Sequence, residues 1–309
     1  MMAQFPSIPF ACPQCHLLLE QTAPDEMSCP VEGHRFPRLN NIWRMLLPGR
    51  ADDFSQFMRE YETIRRLEGR GHETPAYYRS LPSCNLNGRM KADWRIRGAS
   101  FDALLKHIVQ PMEQSVGHPL RVLDLGAGNG WLSNRLALRG HIVTAVDLLT
   151  NDLDGLGCYR HYDSYFTLAQ AEFDRLPLPD HAADLVIFNA SLHYSVDYTG
   201  TLCESKRVLD PNGKMVVMDT PIYHDLTSGV QMVAERENQF VKQFGFPSNA
   251  LPSKNYLTYQ SLAELSDSLD LRWQTITPYY GIRSLLRPML ARLLGRREPA
   301  KFHLIVLNK

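Results

Sequence analysis

From residue 120 onward, the chain alternates short apolar runs with segments whose apolar residues recur at helical spacing. Leu120 to Leu125 is a run of the first kind, whereas Trp131, Leu132 and Leu136 recur at three- to four-residue steps. The pattern predicts further strands over residues 141–146, 166–170, 184–188 and 214–218. Continuous apolar runs are typical of strands covered on both faces, and alternating strands and helices favour a parallel sheet between helical layers. We therefore predict an α/β protein with a doubly wound, mostly parallel sheet.

The residues before this region, 51–119, follow a helical pattern. Apolar side chains recur at three- and four-residue steps at Phe54, Phe57, Met58, Tyr61, Ile64 and Leu67. A second helix is predicted from Ser100, a good N-cap residue, to about residue 110, where Pro111 should end it. The pattern indicates a helical segment that connects to the α/β region.

The first predicted strand of the α/β region runs into a loop with glycine at alternate positions. Residues 122–131 read VLDLGAGNGW, so that Asp124 precedes Gly126, Ala127, Gly128 and Gly130. Because glycine lacks a Cβ, such a loop turns sharply and lets a ligand approach the backbone. A dinucleotide site prefers G-x-G-x-x-G, but position 131 is tryptophan here. The loop is a candidate cofactor site of another kind.

The second predicted strand ends at Asp147, where α/β cofactor sites place a ribose-binding carboxylate. The G-x-G-x-G spacing with this acid resembles motif I of the class I S-adenosylmethionine (SAM) methyltransferases, type 11 in particular. Residues 169–195 and 209–220 are similar to later motifs of that family. The resemblance implies a Rossmann-like, seven-stranded sheet, SAM as the cofactor, and a cofactor-binding role for Asp124 and the glycine loop.

The same resemblance implies a role for each of five residues. Asp147 would accept hydrogen bonds from both ribose hydroxyls, and Leu148 would pack on adenine. Glu172 would accept a hydrogen bond from the adenine amino group, and the backbone amide of Phe173 would bind a ring nitrogen. Asn189 would face the methionine part of the cofactor.

His193 and Tyr194 are the candidate catalytic residues. They follow the fourth predicted strand, at the sheet edge where open α/β sheets bind ligands. An unperturbed histidine has a pKa of about 6.5, so His193 could accept a proton at neutral pH as a general base. The alternative is that it only hydrogen-bonds within its loop.

In the class I SAM methyltransferases that the sequence resembles, the segment before the first strand commonly lies over the cofactor pocket. We therefore consider Tyr77, Tyr78, Trp94 and Arg97 as residues that enclose a substrate. The alternative, which is more frequent for aromatic residues, is packing in the core.

The first 50 residues contain a pattern typical of metal ligands. Cys12 and Cys15 are separated by two residues, and Cys29 precedes His34. Two such pairs can close a tetrahedron around one ion, so we predict structural zinc, with His16 as an alternative donor to His34. A thioredoxin-like context is lacking and disulfides are disfavoured in the cytosol. The segment resembles the zinc ribbon of a bacterial ribosomal RNA guanine methyltransferase, although its gap from Cys29 to His34 is longer.

Composition limits the possible partners. The 309 residues include 33 basic and 33 acidic side chains, so the chain has no general positive charge for nucleic acid. No apolar run approaches the roughly 20 residues of a membrane span, and no basic start precedes an apolar signal core. We expect a cytoplasmic protein with a zinc ribbon over 1–50, a helical connecting or lid segment over 51–119, and a methyltransferase domain over 120–309.

The expected reaction is methyl transfer from SAM to an O, N or C atom of a small or medium-sized metabolite. Ribosomal or transfer RNA is the alternative acceptor, suggested by the zinc ribbon and by the leucines and arginines of residues 282–297. That segment could also contact a membrane surface, and Pro288 argues against one uninterrupted helix there. A second alternative is a non-catalytic interaction protein that retains the fold. The sequence leaves the acceptor and the oligomeric state open.

Overall fold

The predicted strands join one sheet in the computed structural model, which describes residues 7–308 apart from the side chains at positions 283, 285 and 308. The start of the predicted zinc ribbon, residues 1–6, lies outside the described residues. So does the last residue of the predicted methyltransferase domain, residue 309. Strands β1 to β4 precede the helical segment and cover Glu20–Ala23, Glu26–Ser28, Arg35–Leu39 and Ile42–Arg44. Strands β5 to β9 cover Arg121–Leu125, Ile142–Asp147, Thr167–Gln170, Ala183–Asn189 and Leu209–Met218. Strands β10 to β13 cover Ile222–Tyr223, Leu257–Thr258, Arg272–Ile276 and Leu304–Asn308.

The expectation of a seven-stranded, mostly parallel sheet is wrong, because the main sheet of the described residues is larger and mixed, with five parallel and five antiparallel strand pairings. Among the described residues, the main sheet has eleven strands in the order β1-β2-β3-β4-β7-β6-β5-β8-β9-β13-β12. Seven of them follow residue 120, and four come from the N-terminal segment because β4 pairs in parallel with β7, Trp43 opposite Ala169. This pairing covers the edge of β7, which would otherwise present unpaired backbone groups. The last strand, β13, is antiparallel to both β9 and β12.

Helices cover both faces of this sheet. Helices α1 to α5 cover Arg50–Leu67, Pro75–Ser80, Lys91–Leu104, Gln110–Val116 and Trp131–Ala137. Helices α6 to α9 cover Tyr198–Val208, Leu226–Phe244, Tyr259–Leu269 and Ile282–Leu293. Helix α9 includes Pro288, so the expected interruption at that residue is not observed. No helix among residues 7–308 combines the length and the apolar character that a membrane crossing needs.

The second predicted helix begins earlier and ends later than expected. Helix α3 starts at Lys91, and a π-helical turn over Leu105–Val109 carries it into α4. Pro111 follows this π-helical turn within the continuous helix, and the irregular hydrogen bonding of the turn accommodates its missing N–H. Ser100 is therefore not a cap: it is buried within α3, and its hydroxyl donates to Asp219 Oδ1 at 2.6 Å.

The core has one layer on each face of the sheet. Successive residues of β5 alternate between them, with Val122 on one side and Leu123 on the other. The layer under Val122 contains Tyr77, Tyr78 and Trp94, all of them buried. The hypothesis that these three aromatic residues enclose a substrate is therefore wrong, since each fills the core between the connecting segment and the sheet.

Tyr78 shows how that segment is held. Its hydroxyl donates to the carbonyl of Leu153 at 2.8 Å and accepts from the amide of His72 at 3.1 Å. Its ring stacks on His161 with centroids 4.4 Å apart. The side chain thus connects the segment before α2 to the loop after β6.

We expect Tyr78→Phe to lower the free energy of unfolding by about 0.5–1.5 kcal/mol, because it removes two partly buried hydrogen bonds to the backbone of His72 and Leu153. Urea unfolding would measure the loss. The control is Tyr279→Phe, at a side chain that is 68% exposed, and it should unfold like the wild type. Equal midpoints for Tyr78→Phe and the wild type would contradict the structural role of this hydroxyl.

Candidate active site

The glycine loop between β5 and α5 has a conformation that side chains with a Cβ rarely adopt. Gly126, Gly128 and Gly130 have φ angles of +74°, +55° and +77°. A Cβ at Gly126 would lie 2.3 Å from the Cβ of Ser191, so a side chain does not fit there. The amides of Gly126 and Ala127 both bond to the carbonyl of Val146, which fixes the loop against β6. The loop thus presents bare backbone to the space above the sheet edge.

Asp124 supports this loop from inside the core. The residue is 0% exposed, and its Oδ2 accepts a hydrogen bond from Ser133 Oγ at 2.7 Å. Burial raises the pKa of Asp124 to about 7, and the nearby charge of Asp147 adds to the rise. Asp124 does not line the cavity described below, so the structure places it behind the loop.

Asp147 connects the two loops that follow β5 and β6. Its Oδ2 accepts from the amide of Gly128 and its Oδ1 from the amide of Leu149, each at 2.8 Å. Burial raises the pKa of this carboxyl to about 6, although both amides oppose the rise. A carboxylate oxygen can accept more than one hydrogen bond, so Asp147 retains acceptor capacity toward the cavity that it lines.

A cavity of about 400 Å³ opens above the carboxyl ends of β5, β6, β7 and β8. This volume lies within the range of about 300–1,000 Å³ that is typical of small-molecule sites. Nine of the predicted site residues line it: Gly126, Ala127, Gly128, Asp147, Leu148, Glu172, Phe173, Asn189 and Tyr194. Asp124, Gly130 and His193 do not.

Gly130 has a structural role next to this cavity. A Cβ at this position would lie 3.2 Å from the ring of Phe166, and Gly130 immediately precedes the first residue of α5. Gly130, the last glycine of the motif, therefore permits the start of α5 to pack closely against Phe166.

His193 is not placed as a general base. It is buried beside the cavity, its Nδ1 lies 3.4 Å from Thr220 Oγ1, and its ring packs on Tyr194 at 4.4 Å. Burial, together with the charges of three arginines, lowers its pKa to about 3. A histidine with this pKa holds a proton weakly at neutral pH. The structure favours the alternative, a histidine that packs within its loop.

Glu172 has a partner that the sequence did not suggest. Arg50, the first residue of α1, places its guanidinium on this carboxylate, with Nε 2.9 Å from Oε1 and Nη2 2.5 Å from Oε2. The pKa of Arg50 is raised, chiefly by the hydrogen bond to Glu172. Glu172 is 4% exposed and would be costly to bury as an unpaired charge. Helix α1 is thereby fixed over one end of the cavity.

The apolar stripe predicted for α1 faces the cavity over part of its length. Phe54, Phe57 and Tyr61 line it, and the rings of Phe57 and Tyr61 both contact Tyr194, with centroids 6.2 Å and 5.7 Å away. Arg97 of α3 also lines it, as the hypothesis of an enclosing residue at that position expected. Helical spacing finds such a stripe but does not distinguish a core face from the wall of a cavity.

The N-terminal cysteines converge as the spacing predicts. Ligand atoms of Cys12, Cys15 and Cys29 all lie within 4.8 Å of one another, and the Sγ atoms of Cys15 and Cys29 are 3.4 Å apart. The structure does not bring His34 to this cluster, because its Nε2 lies 2.9 Å from Gln14 Oε1. The alternative donor, His16, instead has its Nε2 3.8 Å from Glu204 Oε1.

Residues 123–217 match the family described as the methyltransferase domain. The match runs from β5 into β9 and includes the glycine loop, Asp147 and Glu172. The match covers less than half of the chain and agrees with the class predicted for this segment, that of the methyltransferases.

Similar proteins include the malonyl-[acyl-carrier protein] O-methyltransferase of Erwinia pyrifoliae, 33% identical over 100 residues. That alignment covers 32% of this chain and 37% of the relative. A demethylmenaquinone methyltransferase of Tropheryma whipplei is 32% identical over 100 residues, 32% of this chain and 41% of the relative. The chain therefore spans less than half of the length of these two relatives.

Among solved structures, the chain is similar to the 1,6-didemethyltoxoflavin-N1-methyltransferase of Burkholderia thailandensis, crystallised with 1,6-didemethyltoxoflavin and S-adenosylhomocysteine. The TM-score is 0.47 at 14% identity, and the alignment covers 94% of this chain and 98% of the other.

The raised pKa of Asp124 predicts how stability depends on pH. Because this pKa rises from 3.8 to about 7 on folding, the protonated acid stabilises the folded protein, and this contribution is lost as the pH rises from 3.8 through about 7. Asp124→Asn keeps an acceptor for Ser133 but cannot ionise. We expect the wild type to lose unfolding free energy relative to Asp124→Asn across this range, measured by urea unfolding at several pH values. A difference in unfolding free energy between the wild type and Asp124→Asn that does not change with pH would contradict the prediction. The control is Asp102→Asn, at an exposed residue.

Proposed function

We propose that this protein is a SAM-dependent methyltransferase. The observation that carries the proposal is the cavity itself, in which the bare backbone of the Gly126–Gly128 turn and the half-buried carboxylate of Asp147 face one space. The methyltransferase match over residues 123–217 supports the class of reaction. The intact loop and open cavity disfavour the alternative of a non-catalytic protein.

A buried hydrogen-bond acceptor without a partner supports the fit of the cofactor to this chain. Asn189 lies at the end of β8 and lines the cavity, and its Oδ1 is buried with no hydrogen-bond partner. A buried acceptor without a donor costs free energy, which a ligand donor would recover. The methionine part of SAM carries an ammonium group, which is a hydrogen-bond donor. Asn189 therefore fits its predicted role.

The other predicted contacts are consistent with the same pose. Asp147 would bind the ribose hydroxyls with its remaining lone pairs, and Leu148 would contact adenine. Glu172 and the amide of Phe173 would hold the adenine edge, with the guanidinium of Arg50 fixing the orientation of the Glu172 side chain. Leu148 follows Asp147 in the sequence and Phe173 follows Glu172, in the loops after β6 and β7. Both residues also line the cavity.

When bound, the cofactor supplies a methyl group on a sulfonium, which is already a good leaving group. The chain's task is then to orient the acceptor and to exclude water. The rings of Phe57, Tyr61 and Tyr194 form an aromatic wall that suits the orientation of an acceptor and the exclusion of water. We propose Tyr194 as a substrate contact and assign no role as a base to His193, which does not line the cavity.

The acceptor that we propose is a small or medium-sized metabolite. The cavity is bounded by α1 on one side and by residues 250–252 on another, which suits a molecule that enters a pocket. We propose no RNA substrate, since the site is built around this cavity and the chain carries no net charge.

Replacing Asp147 with asparagine should weaken SAM binding about 10- to 100-fold, the loss expected when hydrogen bonds to a charged acceptor are removed. Isothermal titration calorimetry with SAM measures it. Asp152→Asn is the matched control, because Asp152 lies on the same loop, is exposed and pairs with Arg160. Unchanged affinity in Asp147→Asn, or no binding of SAM by the wild type, would overturn the proposed function.

We also propose that Cys12, Cys15 and Cys29 hold a structural zinc ion. Three thiolates that converge on one point match the donor set that zinc prefers, and tetrahedral zinc takes a fourth ligand from another group or water. Strands β1 and β2 are short and contain no buried residue, so a metal would supply folding free energy to this part of the segment.

Protein purified without chelator should contain about one zinc ion per chain, and Cys15→Ser should lose it because the triad is broken. Elemental analysis by mass spectrometry gives the ratio. Cys84→Ser removes an exposed cysteine outside the cluster and should retain the metal. Wild-type protein without zinc would contradict the proposed metal.

A further inference from the structure

Arg97 differs from the other arginines that line the cavity. Arg50 pairs with Glu172 at 2.5 Å, and Arg65 pairs with Asp154 at 2.9 Å. Among the described residues, no carboxylate lies within 4.0 Å of the Arg97 guanidinium, which instead lies over the ring of Trp94 with a Cζ–centroid distance of 4.7 Å. A half-buried cation that faces a cavity without a counter-ion is typical of a ligand site.

The position of Arg97 is fixed by the core. Trp94, one turn earlier in α3, packs edge-on against Trp131 with centroids 6.1 Å apart. Trp131 is the first residue of α5 and follows the last glycine of the loop. The guanidinium of Arg97 is therefore held beside the glycine loop by a rigid aromatic pair, at little conformational cost on binding.

A second unpaired guanidinium lies on the other side of the aromatic wall. An adjoining cavity of about 220 Å³ shares Phe57, Tyr61 and Tyr194 with the main cavity and is also lined by Arg236 of α7. Arg236 donates to Asn255 Oδ1 at 3.0 Å, but its Nε is buried with no hydrogen-bond partner. No carboxylate of the described residues pairs with it within 4.0 Å.

Tyr194 and Arg65 line both cavities, whereas Arg97 lines the main cavity and Arg236 the adjoining one. The positive charges of Arg236, Arg65 and Arg97 each lower the pKa of the neighbouring His193. Asp154 pairs with Arg65 at 2.9 Å. Asp219 accepts a hydrogen bond from Ser100 and acts on Arg97 only from beyond 4.0 Å, so neither Arg97 nor Arg236 has a carboxylate of the described residues in contact. The electrostatic complement of this space is an anion.

We propose that Arg97 and Arg236 bind an oxyanion of the methyl acceptor, so that the substrate is a small organic acid or phosphate with an apolar part against the aromatic wall. This inference rests on the proposed function, because it concerns the acceptor end of the same cavity. The guanidinium fork suits both carboxylate and phosphate, which share the required charge and geometry.

The experiment uses the full chain saturated with S-adenosylhomocysteine and follows the binding of three probes by calorimetry. Phenylacetate and inorganic phosphate carry the charge, and phenylacetamide is the uncharged counterpart of the first. We expect at least one anion to bind more tightly than phenylacetamide, and Arg97→Met and Arg236→Met each to weaken that anion about tenfold or more. Arg97→Lys, which keeps the charge, should retain part of the affinity. The affinity for S-adenosylhomocysteine should be unchanged in every variant.

Arg95→Met is the matched control, because Arg95 lies on the same helix but is exposed, and it should bind the anions like the wild type. The proposal is overturned if neither anion is preferred over phenylacetamide, or if the anion affinity survives in both Arg97→Met and Arg236→Met. It is also overturned if Arg97→Met weakens S-adenosylhomocysteine instead, since Arg97 would then serve the cofactor. If the wild type does not bind S-adenosylhomocysteine, the proposed function fails, and the same titrations on the protein alone decide this proposal.

Discussion

The site depends on one carboxylate that holds two loops together. Asp147 accepts amide hydrogen bonds from Gly128 and Leu149, and so fixes the turn after β5 against the turn after β6. Both turns leave the same edge of the sheet because β5 and β6 are parallel neighbours. Charge-assisted hydrogen bonds of this kind are stronger than neutral ones and are not easily replaced by water in a half-buried position. The shape of the cavity follows from this arrangement.

The N-terminal segment is a continuation of the same sheet. Strand β4 adds to β7 in parallel, and the backbone of Met45 bonds to the carbonyl of Gln170 at 2.9 Å. Phe10, Trp43 and Met45 pack in the same core layer as residues of β5 and β8. The cysteine cluster and the cavity therefore belong to one packed structure.

Much of the region after residue 120 could be predicted, because its strands are continuous apolar runs and its loop has a distinctive glycine spacing. Nine of the twelve residues predicted for the cofactor and catalytic site line one cavity. The sequence did not reveal Arg50, because ion pairs between residues 122 positions apart leave no local pattern. It also misplaced His193, since burial and nearby arginines set its pKa and neither is visible in a motif. The number of strands was wrong because edge pairing between β4 and β7 depends on tertiary contact.

The ion pair between Arg50 and Glu172 limits how this chain can vary in length. Residues 44–50 bridge two fixed points: Arg44 donates to the Gln170 side chain at 3.0 Å, and Arg50 contacts Glu172 two residues further along the same partner segment. Residues 45–49 are not helical, so a residue inserted or deleted there would change the length of chain between these two points. Arg50 would then keep its contact with Glu172 only if α1 and its aromatic wall shifted relative to the cavity. This short connector should therefore be one of the places in the molecule least tolerant of insertions and deletions.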